Sequence, residues 1–229
     1  MLGARKEKNP KLQKSWIRHN LKLHRFEVSV VPQRFKLIAG LDESGRGPLA
    51  GPVVASAVVL RKSSFKMKIF DCKALSFSQR QKAFGEIVKQ AWVGIGIVDR
   101  EIIDAKNILQ ATIIAMRKSI TDMNIKPEYL LIDGRFKQKD FVFPSKAVIK
   151  GDRLCLSIAC ASIVAKVVRD NLMSYYHRLY PEYGFNRHRG YGTKKHIQAI
   201  RKYGLTAIHR LSFRPISEEL NSLKVYQGR

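Results

Sequence analysis

The sequence predicts a mixed α/β layer fold, and three observations carry that expectation. Five short runs, 35–41, 53–60, 93–98, 128–132 and 146–149, are apolar or β-branched and bounded by polar or turn residues, as strands are. The stretches 78–91, 107–123, 156–179 and 193–203 read as helices. Strands come first and helices are interleaved later, the order of a layered α/β domain.

Each element has a local reason. The run 53–60 follows Pro52 and stops at Arg61. The stretch 107–123 places Ile108, Leu109, Thr112, Ile113, Met116 and Ile120 close to helical spacing. The strands 128–132 and 146–149 end at Asp133-Gly134 and Lys150-Gly151-Asp152. The helix 156–179 begins with small residues (Ser157, Ala159, Ala161, Ser162, Ala165), which allows close packing on a sheet, and Pro181 stops it. Gly204 closes 193–203, and 217–224 reads as a last helical piece. Residues 1–33 are punctuated by Pro10 and Pro32 and read as a loose or partly helical appendage. The 229 residues are ample for one large domain with appendages, or for two small ones.

The formal net charge is +25, from 43 Lys and Arg against 18 Asp and Glu. Such a surplus points to a polyanion, nucleic acid or an anionic membrane surface, and the motifs favour nucleic acid. The first 34 residues hold nine Lys or Arg and only two acids, Glu7 and Glu27. They fit a mitochondrial-type targeting segment or a basic arm that grips nucleic acid, and scarce serine favours the arm. Cys72, Cys155 and Cys160 have no zinc spacing and are expected to be buried thiols in a reducing compartment. No apolar run reaches the length of a membrane span.

Asp42, Glu43, Asp133 and Asp152 share one property: each lies where an apolar strand gives way to a glycine-bearing turn. Carboxylates on neighbouring strand ends can converge, and hard divalent ions such as Mg²⁺ take oxygen ligands. Alone, each has a plainer reading as a turn residue or helix start; their conjunction points to metal-assisted phosphodiester hydrolysis. Successive strand residues face opposite sides, so Asp42 and Glu43 are expected to share a site only if the strand breaks at Glu43. Asp170 is a fifth candidate, either a supporting group behind the other four or the partner of Lys166 in a helix-face ion pair.

Gly45-Arg46-Gly47-Pro48-Leu49-Ala50 fits the spacing of a dinucleotide fingerprint, but that fingerprint opens a helix, and here a strand follows. A turn pressed against a sugar-phosphate backbone suits it better, with Arg46 forking onto phosphate. From Tyr183 to Ser217 there is no Asp or Glu. Arg187, Arg189, Lys194, Lys195, Arg201, Lys202, Arg210 and Arg214 fill that stretch with three histidines, and Tyr191 sits between Gly190 and Gly192. Basic residues around an aromatic suggest a backbone-tracking groove with a stacking platform.

Taken together, these residues resemble bacterial ribonuclease HII. The segment from Leu41 to Val53 (LDESGRGPLAGPV) looks like the family's opening signature. Asp71-Cys72-Lys73-Ala74-Leu75-Ser76 resembles its Asp-Ser-Lys-x-Leu-Ser, with Cys72 in place of the serine. Ile132-Asp133-Gly134, Lys150-Gly151-Asp152, the small-residue helix through Lys166 and Arg169-Asp170 follow in order. Tyr180-Pro181, HRGYGT from His188 and HRLSF from His209 complete the pattern. The resemblance spans roughly 35–216.

The resemblance implies a ribonuclease H-like fold, a mixed five-stranded sheet flanked by helices with helical C-terminal elements. It implies a catalytic domain at 34–216, followed by a tail at 217–229; the basic extension at 1–33 is longer than the family needs. The implied activity is a Mg²⁺- or Mn²⁺-dependent endonuclease acting on RNA–DNA hybrids and on single ribonucleotides embedded in duplex DNA. It would cut on the 5′ side of the ribonucleotide and leave 3′-hydroxyl and 5′-phosphate ends. By motif, Asp42, Glu43, Asp133 and Asp152 are the metal-binding carboxylates. Gly45, Arg46 and Gly47 read the 2′-hydroxyl, Tyr191 stacks on the following sugar, and Lys73 touches phosphate. Cys72 is a weaker donor than serine there. The enzyme is expected to be cytoplasmic and monomeric, serving ribonucleotide excision in DNA replication and repair. A general hybrid nuclease without junction preference, and a non-catalytic nucleic-acid-binding protein, are the rival readings.

Overall fold

Alternation of apolar runs with amphipathic helices produces a five-stranded sheet with flanking helices. The computed structural model of the chain describes residues 10–70 and 72–218. The strands are β1 (Ile38–Ser44), β2 (Val53–Leu60), β3 (Ala91–Val98), β4 (Tyr129–Asp133) and β5 (Ser145–Val148), in the order β3-β2-β1-β4-β5. The helices are α1 (Pro10–Ser29), α2 (Phe77–Gln90), α3 (Arg100–Thr121), α4 (Leu156–Leu179), α5 (Phe185–His188) and α6 (Lys194–Tyr203). Residues 216–218 are helical, and the rest of the expected last helix lies outside the described residues. No helix among the described residues is long and apolar enough to cross a membrane.

Local chemistry sets several of these boundaries. Ser76 starts α2 through a capping box: the Gln79 amide donates to Ser76 Oγ at 3.3 Å, and the Ser76 amide donates to Gln79 Oε1 at 2.8 Å. α3 starts seven residues earlier than its periodicity indicated. Asn107 breaks it with φ 67° and accepts from the amides of Leu109 and Gln110. The expected start is therefore a second helix start inside a longer element. Thr193 caps α6 by accepting from the His196 amide.

The described residues divide into two compact units. Of these residues, the first unit draws on 10–42, 58–93 and 124–163, and the second on 43–57, 94–123 and 164–218. In the first, β1 runs parallel to β4 and β4 parallel to β5. Val31, Tyr129, Leu131, Val148, Cys155 and Ile158 form a core there. Gly40 is what admits α4 to this sheet. A Cβ at Gly40 would lie 2.3 Å from the backbone of Ser157 and Ile158, so any side chain would push the start of α4 off β1. The second unit has its own core, from Leu49, Met173, Phe185, Ile200, Ile208 and their neighbours.

Of the two forms expected for the appendage, loose or partly helical, its described part takes the helical one, α1, and that helix is docked on the protein. Asn20 of α1 is fully buried; its Nδ2 donates to the Met67 carbonyl at 2.8 Å, and its Oδ1 accepts from the Ile69 amide at 3.0 Å. Leu23 and Glu27 are buried beside it. Glu27 accepts from the Ser157 amide at 2.7 Å, at the start of α4. The three cysteines are buried and none is in a disulfide. Burial pushes the Cys155 thiol up to about 12 and Cys160 well above its ordinary value, so neither is a nucleophile at neutral pH.

Burial likewise raises Glu27 to about 7, against hydrogen bonds from Ser157 and Leu156 that pull it down. The folded chain thus keeps a proton that the unfolded chain releases near 4.5. Stability is lost as pH rises from that value through about 7. Replacing Glu27 by Gln should remove this loss. Urea denaturation across that window should show the variant gaining on the wild type by on the order of 3 kcal/mol; parallel stability curves would contradict the assignment.

Candidate active site

The parallel register of the first unit builds an acidic strand end. Leu41 of β1 pairs with Ile132 of β4, so Asp42 and Asp133 come one step later on neighbouring strands. Asp133 in turn pairs with Val148 at the end of β5. The chain then turns through Lys150, in the left-handed region at φ 58°, into a 3₁₀ turn, Gly151–Arg153. That turn delivers the Gly151 amide to Asp133 Oδ1 at 2.6 Å and places Asp152 next in the chain. Asp42 is buried, and Asp133 and Asp152 are half-buried.

β1 does not break at Glu43. It continues through Ser44, and the turn comes at Gly45, with φ 100°. Strand alternation therefore separates the directions of Asp42 and Glu43. In the second unit, Glu43 Oε1 lies 3.4 Å from Arg46 Nη1. Arg46 reaches back along its own turn and stays 44% exposed.

Two buried arginines shape the loop that follows. Arg169 of α4 donates from Nε to the Pro52 carbonyl at 3.0 Å and from Nη2 to those of Ala50 (3.2 Å) and Arg189 (3.1 Å). Arg210 donates from Nε and Nη2 to the Gly51 carbonyl, from Nη1 to that of Arg46 and from Nη2 to that of Gly45. Both side chains are wholly buried. Burial lowers Arg169 to about 10 and Arg210 to about 9, which leaves both charged at neutral pH. Gly45 is obligatory here: a Cβ would lie 2.0 Å from Arg169 Nε, on a positive-φ backbone. The loop also exchanges backbone bonds with two distant segments, Leu49 N to Gly190 O and Arg210 N to Leu49 O, each 2.8 Å.

These contacts bring Tyr191 to the loop. A Cβ on Gly47 would sit 3.6 Å from Tyr191 Cε1, and the ring is 46% exposed. Asp170 lies behind this frame rather than in it. It is buried, accepts from Lys166 Nζ at 2.7 Å and lies 3.8 Å from Arg189 Nε. Arg189 also donates to the Asp170 carbonyl and to Ser174 Oγ. Lys73 falls in the 3₁₀ turn Cys72–Ala74, but its side chain and all of Asp71 lie outside the described residues. The buried Cys72 Sγ accepts from Ser162 Oγ at 3.2 Å, and Arg80 ties down the carbonyls of Cys72 and Leu75.

The acid-free stretch is only partly a surface. Arg210, His196 and His209 are fully buried, because their polar atoms are consumed internally. The Thr206 amide donates to His209 Nδ1 at 2.8 Å, so His209 carries its proton on Nε2. That proton faces His196 Nε2 at 3.1 Å, and His196 Nδ1 donates to the Tyr191 carbonyl at 2.9 Å. His188 stacks on His196 at 4.5 Å and accepts from the Gly190 amide. The chain of donors works only with both rings neutral. Burial, joined by repulsion from His188 at His196 and from His196 and His188 at His209, holds both rings down to about 4.

Sequence reasoning missed this burial. For Arg169 a signal existed: Ala161, Ala165, Arg169 and Met173 recur every four residues on one buried stripe of α4. For Arg210 and the histidines the local sequence offers none.

The Ribonuclease HII family model matches residues 39–216. The chain belongs to the ribonuclease HII family. It is 48% identical to a ribonuclease HII of Chlamydia pneumoniae over 206 residues, 89% of this chain and 95% of that protein. It is also 48% identical to a ribonuclease HII of Thermotoga maritima, over 82% of this chain and 77% of that protein. A crystal structure of ribonuclease H2 from Pyrococcus horikoshii superposes with a TM-score of 0.68 at 23% identity, covering 82% of this chain and 99% of that one. The fold is thus the ribonuclease H-like one. The enzyme is an endoribonuclease that acts on RNA–DNA hybrids, and the family's chemistry depends on divalent metal ions.

The donor set fits such ions. Asp42, Asp133 and Asp152 offer carboxylate oxygens at and just beyond neighbouring strand ends, the donor type that Mg²⁺ and Mn²⁺ take, although among the described residues no three acidic, imidazole or thiol groups lie close enough to enclose an ion. The Asp133 carboxylate is oriented at this end by the Gly151 amide, which donates to its Oδ1 at 2.6 Å.

Nitrogen-15 NMR should find His196 protonated on Nδ1 and His209 on Nε2 at neutral pH. Both rings should charge only near pH 4, with stability lost as pH falls from about 6.5. Either ring titrating near its ordinary value would contradict the chain.

Proposed function

We propose that the enzyme hydrolyses the phosphodiester 5′ to a ribonucleotide, in RNA–DNA hybrids and at single ribonucleotides in duplex DNA, leaving 3′-hydroxyl and 5′-phosphate ends. In this reading residues 34–216 are the catalytic domain, and the enzyme initiates ribonucleotide removal during replication and repair. The observation that most supports it is the apposition of Tyr191 to Gly47 on a loop fixed by buried arginines. A rigid backbone turn beside an exposed aromatic ring suits recognition of one sugar carrying a 2′-hydroxyl, the group that separates RNA from DNA.

The residues divide the work. Asp42, Asp133 and Asp152 are the carboxylates that would hold Mg²⁺ or Mn²⁺; Glu43 is grouped with them by family motif alone, although the unbroken β1 gives it a different direction from Asp42. Bound divalent ions supply an activated water and charge neutralisation at the leaving 3′-oxygen. Gly151 orients Asp133 through its amide. Gly45, Arg46 and Gly47 meet the ribose and its phosphate, with Arg46 exchanging Glu43 for phosphate oxygens. Tyr191 stacks on the next sugar, Lys73 contacts phosphate, and Asp170 steadies Arg189 behind the loop.

Replacing Asp133 by Asn keeps an oxygen acceptor for the Gly151 amide but removes the charge. Cleavage with Mg²⁺ or Mn²⁺ should fall at least about 10³-fold, while affinity for the hybrid is kept. Cleavage at the wild-type rate would overturn the site. A duplex with one embedded ribonucleotide, cut on its 5′ side by the wild type, separates this activity from that of a general hybrid nuclease, which would leave it intact.

A further inference from the structure

The docking of α1 leaves one of its faces unexplained. Its inward side is occupied by Asn20, Leu23 and Glu27. Its exposed side carries Lys14, Arg18, Lys22 and Arg25. These fall four, four and three residues apart, one stripe of about 16 Å along the helix. The only acid in α1 is Glu27, which is buried against Ser157, so nothing on the helix neutralises the stripe.

The stripe is not isolated. Gln13 and Ile17 of α1 line a groove of about 520 Å³ whose other walls include Arg61, Lys62, Lys66 and Lys89. No acid is among its described lining residues, and Glu86 accepts from the Lys66 amide at 2.9 Å. α1 is also fixed relative to the acidic strand end. Glu27 holds the start of α4, and the start of α4 lies directly on Gly40, two residues before Asp42.

We infer that the stripe Lys14, Arg18, Lys22 and Arg25, with the basic groove beside it, is an accessory site for the phosphate backbone of the duplex, beyond the base pairs held at the cleavage centre. The inference rests on the proposed action on duplex substrates. A rigidly docked helix keeps its cations about 6 Å apart along one line, a layout suited to a regularly charged rod. A lipid surface fits less well. A membrane-surface helix buries its apolar face in the bilayer, and here the inward face is spent on the protein's own core.

The test compares the full-length protein with a variant carrying Lys14→Gln, Arg18→Gln, Lys22→Gln and Arg25→Gln. Binding to 30-base-pair and 10-base-pair duplexes with one central ribonucleotide is measured without metal over a range of salt. For the long duplex the variant should bind about tenfold or more weakly, with a salt slope shallower by about 3.6, near 0.9 for each of the four lost phosphate contacts. Binding and metal-dependent cleavage of the short duplex should match the wild type. A second variant exchanging Lys for Arg and Arg for Lys at the four positions should keep the long-duplex affinity. Unchanged long-duplex binding, equal loss on both lengths, or loss confined to vesicles of anionic lipid would each overturn the inference. Failure of the wild type to cleave the short duplex would instead count against the proposed activity.

Discussion

The site depends on two guanidinium groups placed where charge is costly. Arg169 and Arg210 are wholly buried, and their N–H groups are spent on main-chain carbonyls of one loop and its neighbours. A buried cation without partners costs several kcal/mol, so the carbonyls must stay where the forks can reach them. This fixes the loop from Gly45 to Pro52 more strictly than glycine and proline alone could. Gly45 follows from the same constraint, because Arg169 occupies the place of a Cβ. The histidine chain through His209 and His196 continues this frame to the carbonyl of Tyr191.

The acidic end is positioned by a different economy, that of backbone contact. Gly40 lets the start of α4 lie against β1, and the register of β1, β4 and β5 then brings Asp42 and Asp133 to successive strand ends. The Gly151 amide orients Asp133 without using a side chain. Small residues early in α4 thus serve the acidic end, and Arg169 later in the same helix serves the loop.

Much of this was legible in the sequence, for identifiable reasons. Val53–Leu60 and Leu156–Leu179 were found at their observed bounds because Pro52, Arg61 and Pro181 punctuate them. The carboxylates stood out because each follows a strand and precedes a glycine. Periodicity stops at tertiary burial, however. Arg210 and His196 read as surface cations, since nothing local shows that Gly51, Tyr191 and His209 would consume their polar atoms. The docking of α1 escaped for the same reason: its anchors, Asn20 and Glu27, are polar and pair with residues 47 and 130 positions away. Asn107 was read correctly as a helix start but not as one inside a longer helix.

Buried guanidinium forks, rather than loop sequence alone, set the turn proposed to meet the ribonucleotide. Replacing Arg210 by Lys tests it most directly, since charge is kept while the fork is lost. Steady-state cleavage of duplex DNA containing one ribonucleotide should fall about 100-fold in kcat/KM, matching two lost charge-assisted hydrogen bonds of about 1.5 kcal/mol each. The folded circular dichroism spectrum should be retained. Cleavage at the wild-type kcat/KM by a folded Lys variant would show instead that the loop keeps its form without the Arg210 fork.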